Sequence, residues 1–233
     1  MQKRFDDYRL FWQEFRHTFE STGAVLPSGR SLSRALASQV GKSKSPQHIL
    51  EVGPGTGAVT NSIIPRLGPH DRLDLVELNE RFAAVLRDRL KSDPVWQPVA
   101  GRMRILEMPV EEIDDCGCYD VIVSGLPLNN FSCDLVEHIL QHFHRLAAKS
   151  AQLSFFEYVA LRKAKSLWSK AQERLRLSGI ERLLQREFDS WQFSRQCILA
   201  NVPPAWVHHL CLPGYIEADT KSMQHAATVE SAQ

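Results

Sequence analysis

Long apolar runs are missing from this sequence. No stretch approaches the ~20 consecutive apolar residues needed to span a bilayer, so any membrane contact is expected to be peripheral. A secretory leader, charged and then apolar, is missing too. Charge of one sign is scarce: 28 Lys and Arg stand against 27 Asp and Glu, and no overall field draws in a polyanion such as RNA. Cysteine is sparse. Cys116, Cys118, Cys133, Cys197 and Cys211 make no disulfide framework. They make no zinc site either, because one residue separates Cys116 from Cys118 where zinc sites use two or more. They read as reduced thiols of a cytoplasmic protein. Repeats and low-complexity blocks are also lacking. What remains is an ordinary globular composition, 43% hydrophobic and 24% charged over 233 residues. That length supports one domain with a substantial core.

What is present is alternation. HILEV (48–52), LDLVEL (73–78), RMRILEM (102–108), YDVIVSGL (119–126) and AQLSFFEYV (151–159) are short apolar runs. Between them VTNSIIPRL, ERFAAVLRDRL and CDLVEHILQHFHRLAA carry helical spacing. The stretch FSRQCILANVPPAWVHHLCL (193–212) has no helix between its apolar parts. This order predicts an α/β fold, a doubly wound and mostly parallel seven-stranded sheet ending in an antiparallel hairpin. The main domain is expected over 21–214, followed by a polar, flexible tail over 215–233. Two segments stand outside that core. Within residues 1–20, Phe5, Tyr8, Phe11, Trp12, Phe15 and Phe19 recur at helical spacing, predicting an amphipathic helix that lies on a membrane. Residues 160–187 form an inserted helical cap. Either could close over the carboxyl edge of the sheet, where ligands lie in folds of this kind.

The densest signal is LEVGPGTGAV (50–59). Gly53, Gly55 and Gly57 between a strand and a helix let a ligand rest against backbone amides near the positive end of that helix. Glu77 ends the second strand, twenty residues beyond Gly57, where an acid can accept both hydroxyls of a ribose. That pairing serves any adenosine-type cofactor. Dinucleotide sites favour G-x-G-x-x-G, whereas this sequence reads Glu51-x-Gly-x-Gly-x-Gly.

EVGPGTGAVT followed by LDLVELN is similar to motif I and the second-strand acid of class I S-adenosylmethionine-dependent methyltransferases, which implies a Rossmann-like fold. The resemblance implies that Glu51, Gly53, Gly55, Gly57 and Glu77 bind S-adenosyl-L-methionine, the glycines facing its methionine part. EMPVEEI stands where that family often has an acid beside the adenine. Met108 occupies the acid position, which implies an apolar adenine contact or a role for Glu111. TGAVLPSGRSLSRALA, VSGLPLNNF and NVPPAWV together resemble the bacterial phospholipid N-methyltransferases, whose core is akin to rRNA adenine dimethylases. That likeness implies Pro27 and Ser28 against the cofactor. It also implies stepwise methylation of a membrane aminolipid, phosphatidylethanolamine toward phosphatidylcholine, with ornithine lipid as the alternative. The protein would then sit peripherally on the inner face of the plasma membrane.

Adenine N6-methylases carry Asn/Asp-Pro-Pro-Tyr or Asn-Leu-Pro-Tyr after the fourth strand, to bind and stack the flipped base. Here Ser124 takes the Asn position and Leu128 the aromatic one, with Asn129 and Asn130 displaced, which argues against nucleic acid. A cofactor-binding module without activity is the non-enzymatic reading, and the intact loop argues against it.

A lipid ammonium must lose a proton before it accepts a methyl group. Desolvation and nearby acceptors favour that loss. The carbonyls of Ser124, Gly125 and Leu126 stand where the related adenine methylases place the amine that receives the methyl group, and Tyr158 is the candidate side chain that orients it. Pro127, Asn129, Asn130 and Arg195 are candidate substrate contacts. Arg195, like Arg162, Lys163 and Lys165, offers a cation to a phosphate or carboxylate. His138 and His142 have metal-chelating spacing. The apolar stripe Leu135, Val136, Ile139, Leu140, Phe143 and Leu146 turns both toward solvent, so no metal is expected.

Overall fold

The computed structural model describes residues 29–114, 116–158 and 171–214. The predicted helix over 4–20, Pro27, Ser28, residues 160–170 of the inserted segment and the tail lie outside the described residues.

Seven strands form one sheet: β1 (His48–Val52), β2 (Arg72–Val76), β3 (Met103–Leu106), β4 (Tyr119–Ser124), β5 (Ala147–Tyr158), β6 (Gln192–Ile198) and β7 (Ala205–Leu212), in the order β3-β2-β1-β4-β5-β7-β6. The first five pair in parallel, and β7 runs antiparallel between β5 and β6. The expected parallel sheet with its antiparallel ending is therefore what forms. β1 is HILEV itself. Its four residues from Ile49 to Val52 are all buried, as a central parallel strand covered on both faces requires.

Alternate side chains feed two apolar layers. Ile49, Leu73, Leu75, Val121 and Val123 pack on one face with Leu32 and Leu36 of α1 (Arg30–Leu36), Ile63 of α2 (Thr60–Ile63) and Leu86 of α3 (Glu80–Ser92). Leu50, Val52, Ile122 and Leu153 pack on the other with α4 (Cys133–Leu146) and α5 (Ala171–Trp191). Helix starts follow local chemistry. Asn79 accepts from the Arg81 and Phe82 amides at α3, and Ser132 accepts from the Leu135 amide at α4, meeting amides that no helical carbonyl reaches. The described part of the inserted segment is α5. It buries Ile180 and Leu184 beside α4 and the sheet and so forms a layer of the domain.

Two expectations need correcting. His142 is buried, not solvent-facing, and its Nδ1 lies 3.2 Å from an Arg145 nitrogen. Helix α4 touches α5 and the turn Val110–Glu112 as well as the sheet, so its buried arc is wider than the apolar stripe. Cys116 and Cys118 are joined as a disulfide across Gly117, while Cys133, Cys197 and Cys211 are free thiols. A positive φ at Gly117 folds the two cysteines together, which spacing rules for longer frameworks do not anticipate.

At the amino end of the sheet, one carboxylate ties four strands. Asp74 of β2, 1% exposed, accepts from Arg104 Nε and a terminal nitrogen (2.7 and 2.5 Å), from the Tyr119 hydroxyl (2.9 Å) and sits 2.9 Å from His48 Nε2. Burial pushes its pKa up, yet these partners hold the carboxyl far below the usual range. Its stabilisation is present above the ordinary carboxylate pKa and disappears as pH falls through the depressed one. Asp74→Ala leaves those partners unmatched in a buried setting and should cost about 3 kcal/mol at neutral pH. Urea denaturation measures it, and a parent-like midpoint would contradict this account.

Candidate functional site

The chain steps outward from β1 to β2 and β3, then crosses back to β4 on the other side of β1. At such a switch point the loops leaving β1 and β4 diverge and open a crevice at the carboxyl edge. The two loops touch at its base. The Gly125 amide donates to Val52 O (2.8 Å), and a Cβ on Gly125 would lie 2.6 Å from Gly53 O. Only glycine permits that approach. Leu126 is buried above Gly53, and the Ser124 hydroxyl accepts from the Leu126 amide at 3.3 Å.

Sequence reasoning expects Gly53, Gly55 and Gly57 to present open amides. Their amides are instead engaged, to Val76 O (2.9 Å), Glu77 Oε2 (3.0 Å) and Pro54 O (2.9 Å) respectively. The following helix is four residues long and adds little dipole. What the turn contributes is shape. Gly55 holds φ +58°, and a Cβ there would meet nothing within 4 Å. Gly57 instead backs onto the Trp96 ring. Arg89 lies over that ring (4.6 Å) and donates to Thr56 O (2.9 Å), while Trp96 Nε1 donates to Asn61 Oδ1 (2.8 Å). Sequence reasoning misses this bracket, since nothing in the spacing of Asn61, Arg89 and Trp96 marks them as partners.

Three acids surround the crevice. Glu77 is buried and accepts from the Gly55 and Asn79 amides through separate oxygens, which leaves each oxygen a further lone pair for a hydroxyl. Burial raises its pKa against those amides. Glu51 is buried in β1 and accepts from the Thr60 hydroxyl (2.7 Å) through Oε2. Burial, opposed by Thr60 and reinforced by Glu77, pushes Glu51 up to about 8. Glu111 is raised by burial, with Glu112 beside it adding to the shift. Met108 is half-buried just before it.

Beyond β4, Pro127 leads into the turn Leu128–Asn130. Arg176 of α5 pins this turn by donating to Asn129 O (3.0 Å) and to Phe131 O, a clamp that sequence reasoning also misses. The Asn130 amide is spent on Pro127 O. Tyr158 ends β5 with its ring edge-on to Phe156 (5.0 Å). Burial raises its pKa, so it keeps its proton. Arg195 stands apart from the cluster. It is exposed on the edge strand β6, aligned with His208 in mid-strand, and its guanidinium covers Trp206 at 4.9 Å. The structure also joins two stretches far apart in sequence: Asn201 Oδ1 accepts from the Gly29 amide (3.1 Å).

Among the described residues, the buried side-chain atoms with no hydrogen-bond partner include Glu51 Oε1, Glu111 Oε2 and Asn129 Oδ1. All three belong to segments at this one edge. An unmatched buried acceptor costs about 1–3 kcal/mol, so this edge suits ligands that bring N–H donors, with the two acids, Glu51 and Glu111, on the side of the glycine turn and Asn129 on the side of the loop after β4. S-adenosylmethionine has an ammonium, an adenine amine and a sulfonium. With the open space at Gly55 and the free lone pairs of Glu77, these residues fit it.

The fold and the site define a class I S-adenosylmethionine-dependent methyltransferase. The chain belongs to the ribosomal RNA adenine dimethylase family, which matches residues 37–179, more than half of its length. It is similar to a protein from Singulisphaera acidiphila named ornithine lipid N-methyltransferase, with 27% identity over 146 residues, 62% of this chain and 74% of that one. It is also similar to the ribosomal RNA small subunit methyltransferase A of Acidovorax ebreus, with 29% identity over 142 residues, covering 58% of this chain and about half (47%) of that protein. Its fold resembles that of an O-methyltransferase from Bacillus cereus solved in complex with SAH, with a TM-score of 0.58 and 14% identity over 86% of this chain and 90% of the other.

Gly55→Ala should leave the fold intact, with a backbone cost of about 1–2 kcal/mol for an alanine at this φ. Binding of S-adenosylhomocysteine should fall at least roughly tenfold by calorimetry, because the methyl group enters the space the ligand needs. Undiminished affinity in the folded variant would contradict the assignment. A second expectation follows from Glu51. Its pKa is raised on folding, so its stabilising contribution is complete below the unfolded value and is lost as pH rises through about 8. Without cofactor, the thermal midpoint should fall across that range, and Glu51→Gln should flatten the fall. An unchanged slope would refute the neutral carboxyl.

Proposed function

We propose that this protein transfers methyl groups from S-adenosylmethionine to the amine of a membrane aminolipid. The observation that carries the reading is the loop after β4. Adenine methylases use an Asn amide to bind the base amine and an aromatic ring to stack the flipped base. The motif has four residues, so with Leu128, buried in the core, in the aromatic position, the Asn position falls on Gly125, which has no side chain, and not on the preceding Ser124, whose hydroxyl accepts from the Leu126 amide. A flipped base would find neither its amide nor its platform. An aliphatic amine needs only acceptors and a dry approach.

Glu51, Gly55 and Glu77, with Glu111, would hold S-adenosylmethionine, which when bound supplies a methyl group on an electrophilic sulfonium. Pro27 and Ser28 remain part of this proposal as further contacts. The remaining work of the chain is alignment. The carbonyls of Ser124, Gly125 and Leu126 and the orphaned Asn129 Oδ1 would accept the N–H groups of the amine. Tyr158, protonated and one strand away, would bound its approach. Buried surroundings disfavour the ammonium, so the headgroup would give its proton to solvent as it enters and meet the transfer with its lone pair free. Arg195, away from the crevice, is not given a role.

The similarity to the Singulisphaera acidiphila protein supports an ornithine-type headgroup, and the three sequence stretches that resemble phospholipid N-methyltransferases support phosphatidylethanolamine. Both carry a primary amine. Membership of the rRNA adenine dimethylase family favours a second reading, methylation of adenine in RNA, which the Ser124–Leu128 loop argues against. Labelled S-adenosylmethionine with separate vesicles of ornithine lipid and phosphatidylethanolamine, and with total RNA, decides among these. Label on lipid amine is expected, its distribution naming the headgroup. Label in adenine with none in lipid would overturn the proposal.

A further inference from the structure

We infer that the carboxyl edge of the sheet is also the face that meets the bilayer, with Leu199 and Val202 of the β6–β7 hairpin and Leu175 of α5 entering the lipid interface. The inference rests on the aminolipid reading and names the surface that reading requires.

Among the described residues the three most exposed large hydrophobic side chains are Leu199 (76%), Val202 (73%) and Leu175 (70%). All three stand at one end of the molecule. Ile198 pairs with Ala205, and Ala205 with Tyr158, the last residue of β5. The hairpin between β6 and β7 therefore turns at the carboxyl edge. Leu175 precedes Arg176, whose guanidinium grips the carbonyls of Asn129 and Phe131 beyond β4, so it stands at that edge too. The next most exposed, Phe193 (52%), lies at the start of β6, at the other end of the strand.

The hairpin tip is firmly held although its apolar side chains are bare. Asn201 is buried between them, donating to Pro203 O (2.7 Å) and accepting from the Gly29 amide (3.1 Å). The tip is thus a fixed projection. Separate aliphatic tips of this kind suit shallow insertion among headgroups and acyl chains better than a protein interface, which needs a continuous patch of about 800 Å² on each partner. The chain outside the described residues attaches at the same place. Residues 1–28, with Phe5, Tyr8, Trp12, Phe15 and Phe19, join at Gly29 beside the hairpin. Residues 159–170 leave from Tyr158 and return at Ala171, carrying Arg162, Lys163, Lys165 and Lys170 and no acid. Both segments are thus attached to the chain at this edge, and the aromatic and basic residues in their sequences suit an anionic bilayer surface. The proposed amine acceptors after β4 open onto the same edge, so a headgroup could reach them from a lipid still seated in its leaflet.

Flotation of the full chain with vesicles of phosphatidylethanolamine and phosphatidylglycerol tests the surface. The double variant Leu199→Asp, Val202→Asp should partition roughly tenfold more weakly, with S-adenosylhomocysteine affinity unchanged as the proof of folding. Phe193→Asp, an equally apolar exposed site at the opposite end, should partition like the parent. If the aspartates disturb the hairpin, Leu199→Ser, Val202→Ser gives the same reading with a smaller change. A double variant that floats like the parent, or a Phe193 variant that loses as much, would overturn the inference. So would a parent dimer, seen by light scattering, that the double variant dissolves, because the occupant would then be a second copy. A parent that floats but methylates no lipid would sink the aminolipid reading while upholding this surface. A parent that methylates detergent-dispersed aminolipid but does not float would do the reverse.

Discussion

The approach of the Gly125 and Gly53 backbones is the constraint on which the site depends. A methyl cofactor and its acceptor must meet within contact distance, so the loops carrying them must touch without side chains between them. The Gly125 amide bonded to Val52 O, with no room for a Cβ against Gly53 O, achieves this at the one position where the sheet changes direction. Leu126 then seals the junction and leaves Gly55, not Gly53, facing open space. Arg89 and Trp96 hold the outer side of the turn, and Arg176 holds the far loop. Both walls are thus braced from helices on opposite faces of the sheet.

Electrostatics divides the molecule between its two ends. At the amino end, Asp74 is saturated with partners from three neighbouring strands, and its low pKa marks a finished structural network. At the carboxyl end, Glu51, Glu77 and Glu111 are all shifted upward by burial, and two of them keep an unmatched oxygen. Perturbed acids with unspent hydrogen-bonding capacity are characteristic of binding sites. The contrast within one sheet identifies the functional edge more sharply than any single residue does.

The strands and the glycine turn were legible in the sequence because each is a local signal. HILEV and YDVIVSGL are apolar on both faces, and three alternate glycines after a strand have few other uses. Glu77 was legible by its distance from them. The engagement of the glycine amides was not, because it depends on Glu77 and Val76 arriving from another strand. Nor was the burial of His142, since a helical stripe reports only the face toward the sheet and not the flank covered by α5 and the turn at Val110. Arg195 reads as a free cation in sequence, yet it lies over Trp206, its neighbour only through the hairpin pairing. Arg176 carried no sequence mark at all, because it acts on backbone carbonyls whose identity is invisible in side-chain patterns.

The central claim is that the glycine turn and the loop after β4 form one ligand crevice. A crystal structure of the chain grown with S-adenosylhomocysteine tests it most directly. The expected result has the ligand against Gly55, its ribose hydroxyls on Glu77, its adenine between Met108 and Glu111, and its sulfur facing the Ser124–Leu126 carbonyls. Ligand bound at the amino end, in the cleft lined by His48, Arg72 and Arg104, or a ligand that leaves Gly55 uncovered, would contradict it.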